Sequence, residues 1–128
     1  MQIAVLLSDI PFEKEAALHE AARLGVTAYE GATVLDPTEC MKIGDFLARR
    51  SAMLDLVRNT QKIAEAFICD ADGAGHPTAL GQGISDLDSY IAALLEKGVQ
   101  TIIIRNVHGA RELEESIRFL KEKVQAYA

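Results

Sequence analysis

The run Val99-Gln-Thr-Ile-Ile-Ile-Arg105 constrains this chain more than any other stretch. Its three consecutive isoleucines are β-branched, which favours extended backbone, and they leave no polar side for water. An unbroken apolar run of this kind implies a strand covered on both faces, as in a parallel sheet. Helical patterns flank it. Leu87, Ile91, Leu94 and Leu95 share one face before Gly98, and Ala110, Leu113, Ile117, Leu120 and Val124 share one after Gly109. The turn Asn106-Val107-His108-Gly109 then falls at the carboxyl end of the strand.

The rest of the chain repeats the alternation. Ile3-Ala-Val-Leu-Leu7 is a second continuous apolar run, ending at Ser8-Asp9, and Phe12–Leu24 carries apolar positions at helical spacing. Val26–Glu30 and Ala32–Leu35 are β-prone on either side of Gly31. Asp36-Pro37-Thr38-Glu39 is a helix start, with a capping aspartate, a first-turn proline and a glutamate able to reach back. The pattern then stays helical from Thr38 to about Ala66, either as one helix or as two broken at Ser51 or at Asn59-Thr60. Ile43, Phe46/Leu47, Leu54, Val57 and Ala64 form one apolar stripe on it. Met53, Leu56 and Ile63 form another, which is either a homodimer face or a broader core contact. Phe67-Ile-Cys69 reads as a further short strand. Ser85-Asp-Leu-Asp88 resembles a capping box for the helix that ends at Gly98. With no linker or repeat, residues 1–128 read as a single α/β domain. The expected form is a three-layer sandwich around a mostly parallel sheet of 4–5 strands, flavodoxin/Rossmann-like in kind.

The bulk numbers narrow the partners. A formal net charge of −6, with Arg49-Arg50 the only adjacent basic pair, argues against nucleic acid or an anionic membrane. No segment approaches the roughly 20 apolar residues needed to span a bilayer, and Met1–Leu7 lacks the basic start of a signal peptide. Cys40 and Cys69 are the only cysteines and form no CxxC pair, which fits a reducing, cytoplasmic setting. The expected partners are a small-molecule ligand and further copies of the chain.

Chemistry is expected where parallel strands end, because open α/β sheets bind ligands there. That edge would gather Ser8 and Asp9, then Asp70, Asp72, Gly73, Gly75 and His76, and then Asn106, His108 and Gly109. Asp70-Ala-Asp72-Gly73 puts two carboxylates beside a glycine turn, a pattern that suits a divalent cation, with His76 as a third ligand. The glycine-rich segment that follows, Ala71–Gly83, has the composition of an anion cradle, although its charged side chains are acidic. Phe67–Gly73, an apolar strand followed by DxDG, resembles the first motif of the haloacid-dehalogenase phosphotransferases. That resemblance implies Asp70 as phosphoryl acceptor and Asp72 as acid/base, and the chain departs from the pattern at Ala74, where the family has threonine. Three readings follow: a small ligand-binding or accessory domain with its site at this edge, a magnesium-dependent phosphoryl transferase or hydrolase using Asp70 and Asp72, and a structural subunit acting through the middle helix.

Overall fold

The computed structural model describes residues 2–6, 23, 27–29 and 34–127. Its frame is a four-stranded parallel sheet of β1 (Gln2–Leu6), β2 (Thr27–Tyr29), β3 (Glu65–Ile68) and β6 (Thr101–Ile104), in the order β2-β1-β6-β3. The isoleucine strand β6 lies between β1 and β3, in register with both: Ile103 is level with Ala4 and with Phe67. Ile102, Ile103 and Ile104 are fully buried, as a central strand requires. A separate antiparallel ribbon joins β4 (Asp70–Ala71) to β5 (Pro77–Thr78).

Among the described residues, three α-helices accompany the sheet: α1 (Phe46–Asn59), α2 (Leu87–Glu96) and α3 (Ala110–Tyr127). Side chains alternate across a strand, so alternate sheet residues face these helices. Val5, Ala66, Ile68, Ile102 and Ile104 join Met53, Val57, Tyr90, Leu94, Leu113 and Leu120 in one core. Ala4, Phe67 and Ile103 point the other way and pack with Val34. The architecture is therefore α/β, with helices flanking a parallel sheet. The helix expected over Phe12–Leu24 lies outside the described residues except for Arg23, and so do Ala32 and Thr33 of the Ala32–Leu35 run. Leu35 itself makes one parallel bridge with Ala66 beyond β3. It donates to the Glu65 carbonyl at 3.2 Å and accepts from the Phe67 amide at 2.7 Å. The Phe67 carbonyl receives the buried Tyr90 hydroxyl at 2.7 Å.

The middle of the chain departs from the reading of residues 38–66. Asp36 does cap, accepting from the Thr38 amide at 3.0 Å, but what it starts is a short 3-10 helix, Thr38–Lys42. The break falls at Ile43-Gly44-Asp45, where Asp45 caps α1 through the Ala48 amide. A Cβ on Gly44 would stand 2.5 Å from the Gly73 carbonyl oxygen, so the chain has to pass there without a side chain. The buried stripe of α1 is Arg49, Met53 and Val57, whereas Phe46 and Leu47 are 45% and 64% exposed. The expected stripe through Phe46/Leu47 is thus corrected: a charged residue occupies its place on the core face. At α2 the cap is Asp86, not Ser85. Its carboxylate accepts from the Ser89 amide at 3.1 Å and the Ser89 hydroxyl at 2.7 Å.

Candidate functional site

Parallel pairing puts the carboxyl ends of β1, β3 and β6 on one rim. The last two leave it side by side, with the Arg105 amide donating to the Ile68 carbonyl at 2.9 Å. The chain leaving β3 then forms a structured loop from Asp70 to Ser85, and the two ionised groups that organise it are both buried.

Asp70 is 1% exposed. Its Oδ1 accepts from the amides of Ala71 (2.8 Å) and Ser85 (3.1 Å), and its Oδ2 from those of Gly81 and Gly83 (3.0 Å each). A carboxylate has about four lone-pair directions, so these four amides occupy them. Gly83 is obligatory here: a Cβ would collide with the Ala71 carbonyl and with Asp70 itself. The glycine-rich segment does cradle an anion, as its composition suggests, but the anion is the chain's own carboxylate.

Arg49 is the counterpart, with 0% exposure. Its Nε donates to the Ile43 carbonyl (2.8 Å), its Nη1 to the Ala71 carbonyl (2.7 Å) and the Ser85 hydroxyl (3.1 Å), and its Nη2 to the carbonyls of Met41 (2.9 Å) and Asp72 (2.8 Å). Five N–H groups meet five acceptors, which is the full capacity of a guanidinium. Ala71 and Ser85 each touch both charges: their amides donate to Asp70, while the Ala71 carbonyl and the Ser85 hydroxyl accept from Arg49. The opposite charges therefore compensate each other through two residues without direct contact. Among the described residues no buried polar side-chain atom lacks a partner.

The expected site residues are distributed as follows. Ser8 and Asp9 lie outside the described residues. Asp70 is sealed and saturated, so the phosphoryl-acceptor and metal-ligand roles expected of it do not fit this geometry. Asp72, two residues on, sits at the ribbon's tip. It accepts from the amides of Ala74 and His76 (2.9 Å each) and faces the His76 ring at 3.2 Å. The His76 amide, with that of Ala74, holds the Asp72 carboxyl below its ordinary range. Gly73 and Gly75 belong to the same tip, Gly75 at φ +86. Beyond β6, Asn106 adopts φ 62 and Gly109 φ 88, and the His108 amide donates to Glu112 at 2.9 Å at the start of α3. Among the described residues no three His, Cys, Asp or Glu side chains cluster as a metal ion would need.

Two further features were not anticipated. On the rim, Arg105 pairs with Asp36 at 2.5 Å and lies 4.8 Å from the centre of the Phe67 ring. Below it, burial pushes the Cys69 thiol up to about 12, where it is no nucleophile. The other feature is a hollow of about 280 Å³ where α1 and α2 begin, lined by Phe46, Gly81, Ser85, Asp86, Leu87, Asp88 and Phe119. Its wall is the loop that Asp70 and Arg49 hold. Lys123 already approaches it, with Nζ 3.0 Å from Asp88 and 5.4 Å from the centre of the Phe119 ring. Larger hollows lie away from the rim, one of about 350 Å³ between the C-terminal ends of α1 and α2 and one of about 570 Å³ beside Val34-Leu35. Helical spacing could have revealed Arg49, which shares a face with Met53 and Val57. No sequence signal marks Phe119, brought to the loop from α3 by tertiary packing alone.

No protein-family model, curated protein or solved structure matches this chain.

Proposed function

We propose that this chain is a small cytosolic ligand-binding accessory domain whose ligand is a small organic cation, held at the carboxyl rim of the sheet. One observation carries the reading. The hollow at the starts of α1 and α2 combines two aromatic rings with the carboxylates of Asp86 and Asp88, and its wall is fixed in advance by Arg49 and Asp70. Rings and carboxylates together favour ammonium or guanidinium groups. The chain's own Lys123 ammonium, between Asp88 and Phe119, displays that preference. A wall that needs no rearrangement spares the ligand the cost of ordering it. The volume suits a molecule of a few heavy atoms, at the lower end of ordinary binding cavities. No helix among the described residues is long and apolar enough to cross a membrane, and both cysteines are free thiols.

The test is a thermal-shift panel of primary, quaternary and guanidino amines, divalent cations and anionic metabolites. At a concentration one hundred times its dissociation constant, a ligand specific for the folded state adds about 2.7 kcal/mol. An amine or guanidine should raise the melting temperature of the wild type, and the shift should vanish in Phe46→Ala and Asp88→Asn. A panel in which no cation shifts the transition, or in which only anions do, overturns the reading.

A further inference from the structure

We propose that a second copy of this chain docks on the outer faces of α1 and α2, about a two-fold axis parallel to those helices. The two helices run side by side in the same direction. Near their N-terminal ends Arg50 pairs with Asp86 at 2.9 Å, and their C-terminal ends share the hollow lined by Leu54, Arg58, Ala93 and Glu96. Residues i, i+4 and i+8 align on one side of a helix. On α1 this spacing reads Arg50, Leu54, Arg58, and on α2 it reads Asp88, Ala92, Glu96.

The stripes complement each other in charge, size and length. Both end residues of one are basic and both of the other acidic, separated by about 12 Å in each case. A half-buried leucine in the middle of one matches an exposed alanine in the other. A two-fold axis along the helices keeps each level and exchanges the stripes. It sets Arg50 against Asp88 of the second copy, Leu54 against Ala92, and Arg58 against Glu96, and repeats each contact on the symmetric side. Within one chain these charges leave capacity unused. Arg58 and Glu96 border the same hollow but form no ion pair with each other, and the side chains of Arg58 and Asp88 are 73% and 54% exposed. Leu47, 64% exposed and one turn before Arg50, extends the apolar part of the face.

The experiment is sedimentation equilibrium on the full chain without ligand, at low and high salt. The wild type should dimerise, and more weakly at high salt. Arg58→Glu and Glu96→Arg, both at exposed positions, should stay folded by circular dichroism. Each should weaken the dimer about tenfold or more, because the symmetric face carries the contact twice. Mixing the two variants should restore association as a heterodimer. At this level of the face one chain then carries only acidic side chains and the other only basic ones, so every facing pair is again of opposite sign. A wild type that stays monomeric at millimolar concentration overturns the proposal, and so does a mixture no tighter than either variant alone. Neither outcome depends on whether the rim binds a cation.

Discussion

Asp70 and Asp72 are separated by one alanine, yet they live in different media. Asp70 is closed off from solvent and fills its acceptor capacity with main-chain amides. Asp72 stands at the tip of the ribbon, bound to its local turn and to an exposed histidine. The spacing that makes a DxD motif look like paired chemistry here runs through the strand end and its turn, sending one carboxylate inward and leaving the other at the surface. A motif supplies residue types, and burial decides which of them can react.

The largest effect that would sharpen this contrast is expected at Arg49. Arg49→Met keeps much of the volume but strands four carbonyls and a hydroxyl, and leaves the Asp70 charge without its buried counterpart. A loss of roughly 4 kcal/mol is expected, read as a lower denaturant midpoint. A loss near zero would mean that the buried guanidinium organises nothing. Asp70→Asn comes next. Its amide nitrogen must face donors where an oxygen accepted, so about 2 kcal/mol should be lost, with protease cleavage appearing within residues 71–85. If that variant proved as stable and as resistant as the wild type, the four-amide cradle would be unimportant.

A smaller effect belongs to the α2 cap. Asp86→Ala should cost about 1 kcal/mol. Burial raises the Asp86 carboxyl, but bonds from the Ser89 hydroxyl and amide and the charge of Arg50 outweigh it and hold the group below its ordinary range. The native value is the lower one, so this stability is present above the unfolded value of about 3.9 and fades as pH falls below it. The acid limb of a stability–pH curve should flatten in the variant. The smallest effect is predicted at the tip, where Asp72→Asn and His76→Ala should leave the melting temperature within experimental error, as exposed pairs do. A large drop at either position would erase the contrast between the two aspartates.

How far the sequence was legible follows the same division between local and tertiary causes. Val99–Arg105 announced a central strand because three isoleucines have no polar side, and β6 occupies that place. The end of α1 at Asn59 and the parallel pairing of β1, β3 and β6 follow from equally local patterns. The start of α1 did not, because the contact that interrupts the helix joins Gly44 to Gly73, far along the chain. Arg49 was misplaced for a related reason. Charge assigns an arginine to solvent, and only the convergence of acceptors from Ile43, Met41, Ala71, Asp72 and Ser85 makes burial tolerable. Ala71–Gly83 was readable as an anion cradle, but which anion it holds is a tertiary fact.

The bridge at Leu35 reaches beyond stability. The outward carbonyl of Glu65 and the outward amide of Phe67 are taken by Leu35, and the Phe67 carbonyl by Tyr90. A strand whose lateral groups are spoken for offers no template to a neighbouring polypeptide. Polymerisation along that border would first require the Val34-Leu35 segment to peel away and Tyr90 to withdraw, so the border of the sheet is shielded against amyloid-like growth by one residue and one phenol.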